Sequence, residues 1–194
     1  KVRGTNHGID FPTLARDSRA EFGPLRVART NEMHTPVFPN GAAACEIEID
    51  PETGAARITR YATVDDVGRC INPLIVHGQT HGGIAQGVGQ ALWELCAIDP
   101  STGQPLAGSF MDYGMPRSDN LPSFIAEIAE VISPTNPLGI KAGGEGGTTP
   151  ALVVVTNAVL DALKPYGVTD IDMPITPFKI WRAIHERDQA RDVA

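Results

Sequence analysis

The stretch KAGGEGGTTPALVVVTNAVLDAL, residues 141–163, places one carboxylate among four glycines directly before an apolar segment. From Ala151 to Leu163 the apolar residues recur at helical spacing, which predicts a helix. We expect Thr148 or Thr149 to cap its N-terminus and Pro150 to lie in the first turn, where a missing N–H leaves no bond unmade. The glycines before it permit positive φ and close approach of another group to the backbone.

The glutamate of this loop, Glu145, has two local interpretations. Helix N-termini favour anions, so the loop can hold an internal carboxylate or a bound phosphate beside the helix start. Alternatively, it is a plain glycine-rich turn whose glutamate points into water. A Walker phosphate loop is excluded because Lys141 precedes the glycines and no Gly-Lys-Ser/Thr follows them. The loop alone therefore does not identify a function.

A second glycine-rich segment, GQTHGGIAQGVGQALWEL, spans residues 78–95 and also has apolar residues near helical spacing. Each of its five glycines costs a helix interior up to about 1 kcal/mol relative to alanine. Such a helix needs a reason, either tight helix packing or a ligand pressed against its backbone. The side chains of Gln79, Gln86 and Gln90 both donate and accept hydrogen bonds. We therefore predict a buried, glycine-lined helix whose amides face a polar group.

Alternation of polar and apolar residues predicts the strands. Residues 43–50 form a half-buried strand with Glu46 and Glu48 on one face, and a turn at residues 51–54 leads to a second strand at residues 56–67. Further strands are expected near Ala97 and Phe110, at residues 124–133 and at 168–171. Helices are expected at residues 11–21 and from Thr176, its N-cap, onward. These elements predict an α+β fold of β-hairpins and short strands packed on a few helices.

The composition excludes some classes of partner. The 194 residues carry a net charge of −7 without a basic cluster, which excludes a nucleic-acid surface, and no apolar run of about 18 residues predicts a membrane span. The first residues, KVRGTNHGID, lack Met and an apolar core, so they indicate a processed end or an excised piece. Cys45, Cys70 and Cys96 lack metal or iron–sulfur spacing and indicate buried free thiols in a cytoplasmic protein. His77 and His81 lack the carboxylate of an H-E-x-x-H site.

Four blocks of sequence then point to a family. FPNGAAACEIEIDPETGAARITRY, VDDVGRCINPLIVHGQTHGGIAQGVGQALWE, KAGGEGGTTPALVVVTNAVLDAL and DIDMPITPFKIWRAI follow one another between residues 38 and 184. In order and spacing they resemble the C-terminal part of the molybdopterin-binding large subunit of the xanthine dehydrogenase/aldehyde oxidase family. The resemblance implies a molybdenum hydroxylase that oxidises an aldehyde or an N-heterocycle at an electron-poor C–H, using oxygen from water. Residues 1–40 would then be a poorly defined N-terminal segment, 41–185 part of the cofactor-binding domain, and 186–194 a frayed tail.

The resemblance also implies roles for individual residues. Glu145 matches the family's general base, which deprotonates a molybdenum-bound hydroxyl as hydride leaves the substrate carbon. Gln79 matches the glutamine that hydrogen-bonds the metal's oxygen ligands or the cofactor, and no residue here is a direct metal ligand. Further residues are expected to line the approach of the cofactor: Gly82, Gly83, Gln86, Gly87 and Gly144. The usual Gly-Val-Gly-Glu reads Ala142-Gly143-Gly144-Glu145 here, which leaves the shape of the pocket and the substrate open.

The implied cofactor is molybdenum–molybdopterin, including its cytosine dinucleotide form, with iron–sulfur clusters and FAD on other chains. The implied partners are an iron–sulfur subunit, a flavin subunit and the remainder of the molybdopterin-binding subunit, so we expect this chain to be inactive alone. One alternative is a non-catalytic orphan or truncated domain of the same fold that binds no cofactor. Another is an unrelated anion-binding domain whose glycine loop holds a phosphate.

Overall fold

The computed structural model describes residues 2–21, 23–24, 26–30, 32 and 34–191, and the chain divides into two compact units, residues 1–34 and 35–194. The first unit contains helix α1 (Phe11–Glu21), which has the predicted bounds. Asp10 begins it, since its carboxylate accepts hydrogen bonds from the backbone N–H of Thr13 at 2.8 Å and from the Thr13 hydroxyl at 2.9 Å. This satisfies one of the free N–H groups of the first turn.

The second unit is built on a three-stranded sheet in the order β1–β2–β3. Strand β1 (Asn40–Ile49) pairs antiparallel with β2 (Ala56–Asp66), and β2 pairs parallel with β3 (Phe124–Ala129). The predicted hairpin is therefore confirmed, with β2 as the central strand. A parallel neighbour requires a long crossover, and the chain supplies one that contains helix α2 (Pro73–Leu92).

A β-bulge in the hairpin decides which residues of β2 face the core. Ile47 pairs with Ile58 and Glu46 pairs with Arg60, so Thr59 is the extra residue. Because one extra residue reverses the alternation of faces, Ile58 and Tyr61 are both buried although three positions separate them. On β1 the predicted alternation holds, with Glu46 exposed between partly buried neighbours.

Helices α2, α3 (Thr148–Leu163) and α4 (Pro177–Arg191) complete this unit. Helix α3 packs on both β1 and α2, and it buries residues at a spacing of four: Ala151, Val155, Val159 and Leu163. This is the face expected of an amphipathic helix. Together with the apolar side chains of α2 and α4 these residues form one hydrophobic core. The fold is α+β, as predicted.

Several predicted elements are wrong. Near Ala97 there is one isolated bridge, between Ile98 and Pro105, and Phe110 lies in a turn, so no strand forms at either place. Between them, the carboxylate of Asp99 accepts bonds from Ser101 and Thr102 and closes a tight turn. Strand β3 ends at Ala129 and not at residue 133.

Two more differences lie near the C-terminal end of the chain. Residues 168–171 form no strand, because the N–H of Val168 bonds to the carbonyl of Leu163 at the end of α3 and its side chain joins the core. The tail predicted from residue 186 begins as helix, since α4 continues to Arg191. An i,i+4 ion pair between Arg182 and Glu186 crosses the expected boundary and favours helix there. The predicted cap is confirmed, as the Thr176 hydroxyl accepts a bond from the N–H of Lys179 at 3.4 Å.

Candidate functional site

The glycine-rich loop that ends in α3 forms one wall of a cavity of about 740 Å³. The other walls come from residues 39–41 at the start of β1, residues 65–67 at the end of β2, and the first turn of α3. Three elements distant in sequence therefore meet here. A cavity of this size is within the range of small-molecule and cofactor sites.

Glu145 lies in this loop and lines the cavity. Its side chain is exposed in this chain, so the cavity is open to solvent at this carboxylate. The helix start also differs from the prediction. The N-cap of α3 is Gly147 without a side-chain cap, and the Glu145 carbonyl accepts a bond from the N–H of Thr149 at 3.1 Å. Pro150 lies in the first turn, as predicted.

Gln79 on α2 approaches the same loop. A Cβ added to Gly144 would lie 4.0 Å from the side-chain nitrogen of Gln79. Gln79 and Glu145 are 66 positions apart in sequence, yet the fold brings the amide beside the residue that precedes the carboxylate. The structure thus places two of the sequence-predicted site residues in one neighbourhood.

The glycines of α2 have two different environments. A Cβ added to Gly83 would lie 2.9 Å from the backbone nitrogen of Thr148, and one added to Gly87 would lie 2.6 Å from the Cβ of Ala151. Both glycines are buried, and they permit α2 and α3 to pack closely. For Gly83 and Gly87 the structure therefore shows helix packing, whereas we had expected them to line the approach of a cofactor.

The remaining predicted residues of α2 face away from α3. No described atom other than the local helix backbone lies within 4 Å of a Cβ added to Gly78 or Gly82, and Gln79 and Gln86 are exposed. Positions 79, 82 and 86 share one side of a helix. This side of α2 therefore exposes the side-chain amides of two glutamines next to helix backbone that no other described side chain covers.

Two carboxylates at the end of β2 were missed as site residues, because the sequence analysis saw in them only the end of a strand. Asp65 is 7% exposed and lines the cavity, where the hydroxyl of Thr63 donates to its Oδ2 at 3.2 Å. Burial raises the pKa of Asp65 above its ordinary value, and the bond from Thr63 offsets this only in part. A Cβ added to Gly41 or to Gly146 would lie 2.8 or 3.3 Å from its Oδ1. These two glycines thus make room for the carboxylate.

The neighbouring Asp66 is ion-paired with Lys141, and both side chains are about nine-tenths buried. Its Oδ1 also accepts bonds from the N–H of Gly68 at 2.9 Å and of Val131 at 3.1 Å. Burial alone would raise the pKa of Asp66, but the bonds from Lys141, Gly68 and Val131 together hold it below its ordinary value. Two adjacent carboxylates therefore have pKa values shifted in opposite directions. The sequence did contain a signal that could have identified this site. It is the Asp-Asp pair directly after an alternating strand, together with the lysine at the start of the glycine loop.

The departure at Gly143 has a structural counterpart. A Cβ added to Gly143 would lie 3.0 Å from the Cγ1 of Val67, so the side chain of Val67 takes the space that a larger residue at position 143 would need. The glycine loop and the end of β2 therefore pack closely against each other at this point.

Other candidate ligands do not gather into a metal site. Among the described residues no three His, Cys, Asp or Glu side chains are grouped to hold a metal ion. The ring of His81 lies 5.7 Å from that of Phe124 and 6.2 Å from that of His77. The three cysteines are free, and where we expected burial Cys96 is exposed while Cys45 and Cys70 are half-buried. Within the described part of the chain, no helix is long and apolar enough to cross a membrane.

The exposed side of α2 and the loop fit a bulky polar cofactor. Bare backbone at Gly78 and Gly82 leaves room for close approach, and the amides of Gln79 and Gln86 supply both donors and acceptors. Glu145 adds a carboxylate that is not hydrogen-bonded through its side chain to any described residue. This set can bind hydrogen-bonding groups and take up a proton.

The chain is similar to known proteins over most of its length. Residues 11–122 match the family described as a molybdopterin cofactor-binding domain. The chain is 39% identical over 165 residues to the nicotine 6-hydroxylase large subunit of Paenarthrobacter nicotinovorans, covering 84% of this chain and 20% of that protein. It is 33% identical over 153 residues to the carbon monoxide dehydrogenase large chain of Hydrogenophaga pseudoflava, covering 79% of this chain and 19% of that one.

Solved structures agree with these relatives. Quinoline 2-oxidoreductase from Pseudomonas putida 86 superposes with a TM-score of 0.73 at 42% identity, over 77% of this chain and 19% of that one. Carbon monoxide dehydrogenase from Oligotropha carboxidovorans also gives 0.73, at 32% identity, over 78% and 19%. The chain spans about a fifth of the length of the relatives it matches. Its sequence and its fold both place it in one family, and the chain belongs to the molybdopterin cofactor-binding domain family of the molybdenum hydroxylases.

Proposed function

We propose that this chain is the C-terminal portion of the large subunit of a molybdenum hydroxylase, with Glu145 as its general base. The observation that carries the proposal is the meeting of Gln79 with the loop of Glu145 beside the 740 Å³ cavity. An amide and a carboxylate on two glycine-rich elements are the groups required to hold a polar cofactor and to accept a proton next to it.

Each residue of the site would have its own role in binding or catalysis. Gln79 and Gln86 hydrogen-bond the molybdopterin cofactor along the exposed side of α2, and Gly82 and Gly144 let it approach the backbone. The cofactor, when bound, supplies the two-electron oxidation of the substrate C–H bond. Overall, R–H and water give R–OH, two protons and two electrons, and a carboxylate oxygen of Glu145 takes up one of the protons.

The substrate class we propose is an N-heterocycle. Two similar proteins, the nicotine 6-hydroxylase large subunit and quinoline 2-oxidoreductase, are named for N-heterocyclic compounds. The apolar part of the cavity wall, Val67, Pro150 and Val153, suits a flat ring. In this proposal the electrons leave through an iron–sulfur subunit and a flavin subunit on other chains.

Replacement of the base tests this assignment in the complete enzyme. In the Glu145→Gln variant we expect the molybdenum content per large subunit to be unchanged and turnover of an N-heterocycle to fall roughly 10²–10⁴-fold, the usual contribution of a general base. Elemental analysis and steady-state kinetics measure the two quantities. Glu127→Gln is the matched control, since Glu127 is an exposed glutamate on β3 away from the cavity.

Two results would contradict the proposal. Turnover close to that of the unmodified enzyme in Glu145→Gln would remove the role of Glu145. Complete absence of molybdenum from the folded enzyme, isolated together with its partner chains, would instead support the alternative of a domain that keeps the fold and binds no cofactor.

A further inference from the structure

We propose that the buried ion pair between Asp66 and Lys141 positions the Glu145 loop, and that Lys141 is a positioning residue for the base. The inference rests on the proposed function in one respect, the role of Glu145, whereas the mechanical role of the ion pair can be tested without it. The argument starts from what each carboxylate oxygen of Asp66 binds.

Asp66 connects three segments. Its Oδ1 accepts the N–H of Gly68, in the turn after β2, and the N–H of Val131, just beyond β3. Its Oδ2 accepts a bond from the ammonium group of Lys141, four residues before Glu145. The described bonds occupy both oxygens, and the side chains of Asp66 and Lys141 are only 10% and 11% exposed. One carboxylate thus fixes the start of the loop to the end of the sheet.

The backbone reinforces the same junction. The N–H of Lys141 donates to the carbonyl of Val67 at 2.8 Å, and Gly68 forms an antiparallel bridge with Ile140. Arg69 adds a backbone bond to the carbonyl of Gly139 at 2.9 Å. Up to Lys141, therefore, the chain follows the segment after β2 closely, and beyond it the chain enters the cavity wall.

The other end of the loop is held by packing. A Cβ added to Gly147 would lie 2.3 Å from the carbonyl oxygen of Thr80, so the loop ends where the backbones of α2 and α3 meet. Between the two ends, residues 142–146 include three glycines and an alanine, which have little side-chain surface to pack. A segment of this composition has large conformational freedom. Its position is therefore set by its ends, and the ion pair is the charged anchor at one of them.

The ion pair is also separable from the stability of the fold. Removing one partner of a buried pair leaves an uncompensated charge, whereas removing both charges at once does not. The double variant Asp66→Asn, Lys141→Met keeps an oxygen for the N–H groups of Gly68 and Val131 and loses only the side-chain link to the loop, because the backbone bond from Lys141 to Val67 remains. A loss of function in this variant with an unchanged unfolding midpoint would indicate positioning and not global destabilisation.

The experiment uses the complete enzyme in four forms: unmodified, the double variant, Lys141→Arg and Asp161→Asn. Asp161→Asn is the matched control, because Asp161 and Lys164 form an Asp–Lys pair that is exposed and far from the cavity wall. Three quantities are measured in each: hydrogen exchange of the amides of residues 142–147, molybdenum content, and kcat and KM for an N-heterocycle.

We expect the double variant to exchange the loop amides about 10-fold faster, while exchange in the buried half of α3 and the molybdenum content are unchanged. Its kcat should fall by roughly 10²-fold, the penalty of a catalytic group displaced by about 1 Å, with KM little affected. Lys141→Arg keeps the positive charge and should retain most of the kcat of the unmodified enzyme. Asp161→Asn should behave as the unmodified enzyme.

The outcomes separate this inference from the proposed function. Unchanged loop exchange in the double variant overturns the positioning role whatever Glu145 does, and so does unchanged kcat in an enzyme that Glu145→Gln inactivates. Faster loop exchange in an enzyme that Glu145→Gln leaves active supports the mechanical role of the ion pair and overturns the assignment of the base. If this double variant does not fold, loop exchange in the alternative double variant Asp66→Asn, Lys141→Gln, which also removes both charges, decides the same question.

Discussion

The two glycine-rich segments of this chain use the same residue type for opposite purposes. In α2, Gly83 and Gly87 are buried and let a second helix pack against the first. In the loop before α3, a Cβ added to Gly144 would have, among the described atoms, only the side-chain nitrogen of Gln79 near it, at 4.0 Å, so this glycine leaves the cavity open beside a carboxylate. The helix contact is held by close backbone packing, whereas the loop is anchored by an ion pair. Glycine thus permits close helix packing at some positions and leaves room beside the cavity at others.

The largest effect should follow from breaking the charged anchor of the loop with a single change. In Asp66→Asn the ammonium group of Lys141 stays buried without its partner, which typically costs about 3–5 kcal/mol. We expect the free energy of unfolding to fall by about 3 kcal/mol at pH 7, measured by urea denaturation. Because the pKa of Asp66 is lowered in the folded state, its contribution is complete above its ordinary pKa of 3.8 and disappears as the pH falls through the folded value. The difference between variant and unmodified protein should therefore shrink in acid. A constant difference would contradict this account.

Filling the helix contact should have the next largest effect. In Gly87→Ala the new Cβ would lie 2.6 Å from the Cβ of Ala151 and 2.8 Å from the carbonyl oxygen of Thr148. Overpacking of this kind costs about 1–3 kcal/mol, and we expect about 2 kcal/mol in the free energy of unfolding, with little dependence on pH because no charge is involved.

Gly82→Ala is the matched control on the same helix. No described atom outside the local helix backbone lies within 4 Å of its new Cβ, so it should stabilise the protein by up to about 1 kcal/mol through helix propensity. Destabilisation by both changes to the same extent would show that the α2–α3 contact is not what the buried glycines serve.

A smaller effect, opposite in sign to that of Asp66, is expected at the neighbouring carboxylate. The pKa of Asp65 is raised by burial, so its charged form destabilises the fold at pH values above its folded pKa, and the penalty disappears as the pH falls below its ordinary pKa. Asp65→Asn should therefore raise the free energy of unfolding at pH 7 and have no effect at about pH 3. Urea denaturation across this range measures both. Destabilisation at neutral pH would mean that the charged form is stabilised by a contact in the cavity.

The predictability of the fold depended on whether local patterns decided the outcome. The hairpin of β1 and β2 was foreseen because Glu46 and Glu48 alternate with apolar residues, and α1 and the cap at Thr176 follow from local signals. The strands expected near Phe110 and at residues 168–171 did not form. In those places short apolar runs join a turn or the end of a helix, and periodicity does not distinguish such runs from strands.

The residues of the candidate site were also predicted only in part from the sequence. Glu145 and Gln79 were identified through the family resemblance, and their proximity is a result of the fold. Asp65 and Asp66 were missed because their importance arises from burial and from a partner 75 residues away, which a sequence read along one strand does not show. Gly83 and Gly87 were assigned to a cofactor because glycine in a helix has the same signature whether a ligand or another helix approaches it.

By itself, the sequence determined the main helices, the β1–β2 hairpin, the net charge of −7 and the ordered blocks that resemble one family, because these depend on residue type and spacing along the chain. Only the tertiary structure decided which glycines pack and which stay open, and it alone gave the two carboxylates of β2 opposite pKa shifts. Those properties depend on which residues from other parts of the chain lie next to each side chain. Burial and the distance to a charge are set by the meeting of β2, α2 and the loop.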